Sequence, residues 1–175
     1  MNDVNGGGIA RLQVSTALGQ FVVAAGAKGL RSVTPVDSRD GMNTGGASSP
    51  IAGEPALAHA RAAAEALSRY AAGEPIRFDG LLDVAAPHLH RATWERLRAI
   101  PFGATITYGE IATDLGMPGE ARAIGAAVGA NPVCILIPCH RVVGADGGLR
   151  GFAWGLDLKR RLLAHEGCGA LSLFG

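Results

Sequence analysis

Glycine and proline punctuate this chain so that its two halves read differently. Residues 9–33 hold short runs rich in Val, Leu and Phe, broken at Gly19, Gly26 and Gly29, as a small antiparallel meander requires. Residues 36–55 concentrate Gly, Ser, Pro, Asp and Asn with neither apolar period and read as a mobile loop. Over residues 56–72, Leu57, Ala60, Ala63, Ala64, Leu67, Tyr70 and Ala71 recur at helical spacing, while Arg61, Glu65 and Arg69 lie on another face. That is an amphipathic helix, stopped by Gly73 and Pro75, and residues 76–82 read as one further strand.

Beyond residue 85 the pattern changes to a succession of helices. Residues 88–100 form one helix, closed by Pro101 and Gly103. Thr107 N-caps a second over residues 108–115, with Glu110 completing a capping box. A turn through Gly116, Pro118 and Gly119 leads to a third helix, residues 121–130, built from small residues and ended by Asn131-Pro132. Two helices across a tight turn suggest a helix-turn-helix, although many helical segments share that spacing. The expected division is residues 1–85 and 86–175.

Composition bounds the partners. At 48% hydrophobic and 18% charged, with a mean hydropathy of +0.22, the 175-residue chain can bury a core. Its net charge is +1, with 7 basic and 8 acidic residues before residue 86 and 9 and 7 after it, so no global field announces nucleic acid or membrane. Three irregularly spaced cysteines argue against a secreted disulfide scaffold. Residues 1–8 lack the basic start and apolar run of a signal peptide, and no apolar stretch reaches about 18 residues, so a soluble, cytoplasmic protein is expected.

The stretch NPVCILIPCHR, residues 131–141, carries the chemistry. An apolar run, Val133 to Ile137, is cut by Pro138 and followed by Cys139 and His140. A free thiol at its usual pKa is only about 3% thiolate at pH 7, so a nucleophilic Cys139 needs a base or a positive neighbour. His140 is a candidate base, yet neighbours in an extended segment point to opposite faces, and a buried structural cysteine beside a surface histidine is the other reading.

The run IPCHRVVGADGGLRGFAWGLDLKRRLLAHEG, preceded by ITYGEIA and ARAIGAAVGANP, closely resembles the O6-alkylguanine-DNA alkyltransferases from about Trp94 to Gly167. The resemblance implies an α+β chain. A small sheet-plus-helix N-terminal domain of ribonuclease-H-like shape precedes a helical winged helix-turn-helix domain that binds DNA and accepts the alkyl group. It further implies that Cys139 takes the alkyl group from O6 of a flipped guanine, that His140 deprotonates it through a water, that Glu166 orients His140, and that Asn131 ties the DNA-reading helix to the active-site turn. Tyr108 matches the residue that presses on the target phosphate, and Arg122 the finger that fills the vacated stack. Ala121, Ala123 and Gly125 belong to the slim helix that enters the minor groove. Val142 offers backbone to the guanine edge, and Ala153 and Trp154 wall the pocket.

The implied partner is double-stranded DNA carrying O6-alkylguanine, bound by a monomer without cofactor or metal and without membrane. O4-alkylthymine repair and clustering along DNA stay open. Each molecule should act once, because no second thiol is placed to remove the alkyl group. Trp154 stands where some members have a small residue, so methyl should be preferred over benzyl, and Gly129 replaces an arginine of some members. A non-repairing alkyltransferase-like protein would lack Cys139. A helix-turn-helix regulator would need base-reading side chains, and a thiol hydrolase would turn over repeatedly. His59, His88, His90, His165, Cys134 and Cys168 read as structural, with Cys134 a conceivable oxidation partner of Cys139.

Overall fold

The computed structural model describes residues 8–36 and 52–168, which form two compact units. The first unit spans the chain up to residue 85 and also takes in residues 132–136; the second comprises the remainder.

In the first unit, β1 (Ala10–Thr16), β2 (Gly19–Gly26) and β3 (Gly29–Pro35) form an antiparallel meander in sequence order. The pairs Val14↔Phe21 and Val23↔Val33 set the register. Gly29 is required where it stands: its φ is +150°, and a Cβ there would lie 2.5 Å from the Leu81 carbonyl oxygen. Helix α1 (Glu54–Ala71) lies on this sheet through Ala56, Ala60, Ala63, Leu67 and Tyr70, the stripe that helical spacing predicts. Alanines at most of these positions let the helix axis sit close to the sheet.

The expected strand over residues 76–82 is not formed; only Leu82 bridges Leu30, with Leu30 N–H donating to Leu81 O and Asp83 N–H to Leu30 O. Gly80 is required by its neighbour, since a Cβ there would run into the ring of Phe78. Further along β3, Val33 bridges Val133, flanked by bonds from Val33 N–H to Pro132 O and from Cys134 N–H to Val33 O. One residue of the apolar run before the cysteine motif, Val133, thus meets the edge of β3 through an isolated bridge. The loop expected at residues 36–55 lies mostly outside the described residues.

The second unit contains α2 (His88–Arg98), β4 (Ile106–Thr107), α3 (Tyr108–Asp114), α4 (Ala121–Gly129), β5 (Val142–Val143) and α5 (Leu156–His165). The capping box forms as expected: Glu110 N–H donates to Thr107 Oγ1 at 3.2 Å and Thr107 N–H to Glu110 Oε2 at 2.8 Å. Helices α2 and α3 both pack on α4, and the buried Trp94 indole donates to Ala127 O at 2.8 Å. Strands β4 and β5 pair in parallel, Ile106 with Val142 and Thr107 with Val143, which joins the start of α3 to the segment after the cysteine. Among the described residues no helix is long and apolar enough to cross a membrane.

Candidate active site

Residues 135–141 turn sharply. Ile135 has φ +70°, rare for a β-branched residue, and the Leu136 N–H donates to Cys134 O across it, which defines a strained γ-turn. Pro138, at φ −80° and ψ 62°, makes an inverse γ-turn closed by Cys139 N–H on Ile137 O at 2.8 Å. Cys139–Arg141 then form one turn of 3₁₀ helix. The extended geometry weighed from sequence is absent; in a threefold turn consecutive side chains diverge by about 120°, and those of Cys139 and His140 find different partners.

Cys139 is buried, and its sulfur accepts a hydrogen bond from Asn131 Nδ2 at 3.1 Å; the same amide nitrogen donates to Ile137 O at 2.9 Å. Asn131 follows α4 directly, so one side chain pins the end of that helix to the cysteine turn. His140 and Glu166 are fully buried in their side chains, with His140 Nε2 2.7 Å from Glu166 Oε1. Glu166 sits at the end of α5 and accepts three further kinds of donor. Arg141 Nε bonds its Oε2 at 2.8 Å, Arg141 Nη2 bonds Oε1 at 2.9 Å, and Gly103 N–H bonds Oε2 at 3.1 Å. Arg141 Nη1 donates in turn to Ile100 O at 2.6 Å, and its guanidinium lies 5.8 Å from the Phe102 ring centroid.

Sequence reading missed two of these participants. Arg141 stood inside the motif without a role; a cation between His140 and the apolar pair Val142-Val143 was the available signal. Lys159 was missed altogether. It is fully buried on α5 and donates to Val142 O at 2.7 Å and Arg150 O at 3.1 Å, neither of them charged. Its spacing to Leu162 and Leu163 put it on the apolar stripe of that helix, which a charged residue occupies only when something there needs it.

Burial pushes the Cys139 thiol up to about 11, opposed by the Asn131 bond and the Lys159 ammonium. Burial lowers Lys159 to about 8 while Cys139 works to raise it. For Glu166 burial works upward, but the bonds from His140 and Arg141 together outweigh it and hold the carboxyl at about 2. Burial pulls His140 below its usual value despite Glu166. At neutral pH the resting site therefore holds a protonated thiol, a neutral imidazole and a Glu166 carboxylate matched by Arg141. A protonated thiol followed directly in the chain by a neutral imidazole held on a carboxylate has the components of a nucleophile and a base.

The other residues singled out from sequence lie on the neighbouring elements of the second unit. Tyr108 opens α3; burial and the nearby Cys139 both raise its hydroxyl pKa. A Cβ on Gly125 would stand 3.9 Å from the Tyr108 ring, so α4 passes close behind it. Ala121, Arg122 and Ala123 occupy the first turn of α4, with Arg122 exposed. Val142 is buried in β5. Ala153 is exposed just before α5, and Trp154 meets Phe152 edge-on at 5.5 Å. Direct bonds join Asn131 to Cys139 and His140 to Glu166; Arg122, Ala121, Ala123, Ala153 and Trp154 are placed by their elements alone.

Comparison with solved structures decides the family. An O6-methylguanine methyltransferase from Mycobacterium tuberculosis superposes with TM-score 0.72 at 33% identity, covering 90% of this chain and 92% of that one. This chain belongs to the O6-methylguanine DNA methyltransferase family. Another M. tuberculosis structure, described as OGT in complex with DNA, gives TM-score 0.73 at 34% identity and 90% and 91% coverage. Residues 88–168 match the profile of the 6-O-methylguanine DNA methyltransferase DNA binding domain. The methylated-DNA–protein-cysteine methyltransferase of Mycolicibacterium paratuberculosis is 51% identical over 104 residues, 59% of this chain and 63% of that protein. That of Methanosarcina acetivorans is 47% identical over 107 residues, 61% and 69% of the two chains. Thus less than two thirds of the mycobacterial relative's length is matched in sequence, whereas the fold extends over nearly all of the solved chain.

Proposed function

We propose that this methyltransferase-family protein repairs DNA directly, moving the alkyl group from O6 of guanine to the sulfur of Cys139 in a single irreversible event. The observation that carries this reading is the buried thiol held by Asn131, with the His140–Glu166 pair beginning at the next residue. A base stacked in duplex DNA cannot present its O6 substituent to a cysteine that is 2% exposed, so the nucleotide must leave the helix, at a few kcal/mol of unstacking. Arg122, exposed at the start of α4, fills the gap, its planar guanidinium suiting a stacked site as Lys would not. Tyr108 turns the phosphate, and the small residues Ala121, Ala123 and Gly125 allow close approach to a narrow groove.

In the chemical step the sulfur–carbon bond forms as the carbon–O6 bond breaks, and the electron pair leaves with guanine oxygen. The thiol proton passes to His140 through a water. Nε2 is engaged by Glu166, so Nδ1 is the ring atom that receives it, and the carboxylate stabilises the imidazolium that results. Guanine departs neutral by regaining one proton. Val142 and the Cys139 backbone accept from the guanine edge, and Ala153 and Trp154 close the pocket. The bulk of Trp154 favours methyl over benzyl, which equal repair rates for the two adducts would contradict.

The protein acts in the cytoplasm as a monomer on double-stranded DNA, without a resident cofactor. Intact-protein mass spectrometry after incubation with a duplex containing one O6-methylguanine tests the reading. The expected gain is one methylene per molecule, saturating at one equivalent and absent in Cys139→Ala. An unmodified Cys139 under saturating substrate, or repeated turnover, contradicts it.

A further inference from the structure

Arg150 is built into the site more firmly than an exposed arginine needs to be. Its Nη2 meets Asp146 Oδ2 at 2.5 Å, and its carbonyl is held by the buried Lys159 ammonium at 3.1 Å, so both side chain and main chain are anchored. Asp146 is itself oriented, accepting from Gly148 N–H at 3.0 Å within a turn closed by Gly144 N–H on Gly148 O. Two glycines make the seat: a Cβ on Gly144 would lie 2.6 Å from Asp146 Oδ1 and 3.1 Å from Arg150 Nε, and one on Gly148 would lie 3.0 Å from Arg150 Nη1. The side chain remains 54% exposed. Its charge acts on Tyr108, which it favours as the phenolate, and on Lys159, whose charge it opposes; both also interact with Cys139. A solvent-facing guanidinium oriented by Asp146 is thus carried on a main chain that is tied to the buried Lys159.

We propose that Arg150, steered by Asp146, is a substrate-contacting residue that binds an anionic oxygen of the alkylated DNA next to Cys139. Guanidinium forks match oxyanions in planar, charge-assisted pairs, and an arginine held by one carboxylate keeps N–H groups to donate elsewhere. Two oxyanions have the required chemistry: a backbone phosphate at the flipped nucleotide, or a carboxylate at the end of the O6 substituent. The inference rests on the alkyl-transfer reading.

Single-turnover transfer rates test it on three substrates: an O6-methylguanine duplex, the same duplex with an O6 substituent ending in a carboxylate, and the O6-methylguanine nucleoside. If the oxyanion is a phosphate, Arg150→Gln slows both duplexes about fivefold and reduces the slope of log rate against log salt by about one, leaving the nucleoside unchanged. If the oxyanion belongs to the adduct, only the carboxylate-bearing duplex slows. Asp146→Asn, which frees the guanidinium without removing it, gives a smaller loss in the same pattern. Unaltered rates on both duplexes, or an equal loss on all three substrates, overturn the proposal while leaving alkyl transfer intact. A wild-type protein that transfers no methyl group defeats the functional reading itself.

Discussion

Asn131 donates to the sulfur of Cys139 at 3.1 Å and to the Ile137 carbonyl with the same nitrogen. One amide therefore both shapes the turn that presents the thiol and supports the charge the thiol must develop. Removing it should cost reactivity before it costs the fold. Asn131→Ala is expected to slow methyl transfer about 10- to 100-fold, as the loss of a hydrogen bond to a developing anion implies. Asn131→Asp, which sets a carboxylate against the sulfur, should slow it further. Single-turnover rates on an O6-methylguanine duplex measure both, and a rate within twofold of wild type for Asn131→Ala would remove the role given to it.

Glu166 ties stability to pH. Its carboxyl lies at about 2 in the fold against 4.5 as the ordinary value, so its contribution of about 3 kcal/mol is complete above pH 4.5 and is lost as pH falls toward 2. His140, held below 6.5 by burial, stays neutral in the fold and gains its proton on unfolding, so it also destabilises the fold as pH drops through 6.5. The two groups act in the same direction. Denaturant midpoints should fall continuously from pH 7 to pH 3, and Glu166→Gln, which strands the buried Arg141 guanidinium, should already be about 3–5 kcal/mol less stable at pH 7.

Lys159 separates reactivity from stability. Its buried ammonium has two carbonyl partners and no carboxylate, so Lys159→Met removes an uncompensated buried charge and is expected to leave the melting temperature unchanged or raised. The same change withdraws a positive neighbour from Cys139. The pH at which Cys139 becomes alkylated by iodoacetamide, already displaced upward by burial to about 11, should move higher still. Peptide mapping of the modified cysteine against pH distinguishes this from a general loosening, which would make Cys134 and Cys168 reactive as well.

Arg122 should matter only where there is a duplex to open. Arg122→Ala is expected to reduce the transfer rate on duplex O6-methylguanine by about tenfold or more while leaving the rate on the free nucleoside unchanged. Equal loss on both substrates would assign Arg122 to the fold of α4 instead.

Much of this was legible in the residue order. Strands β1 to β3, helix α1, the Thr107–Glu110 capping box and the α3–turn–α4 pair follow from periodicity and from Gly and Pro placement, interactions among residues a few positions apart. The Cys139–His140 motif and its distant Glu166 were legible through family resemblance, and the structure brings His140 and Glu166 within 2.7 Å of each other. The strand expected at residues 76–82 failed because apolar character alone does not supply a ladder partner, and just one bridge formed.

Local pattern determined most of the helices and the β1–β3 meander, and resemblance to a family singled out Cys139 among the three thiols. Tertiary structure alone decided that Arg141 grips Glu166, that Gly103 completes that carboxylate's shell, that Lys159 is buried on α5 and that residues 132–136 join the first unit. The physical reason is the same in each case. Periodicity reports what a residue prefers on average, and on average a charge prefers water; burying one requires partners supplied by segments far away in the chain.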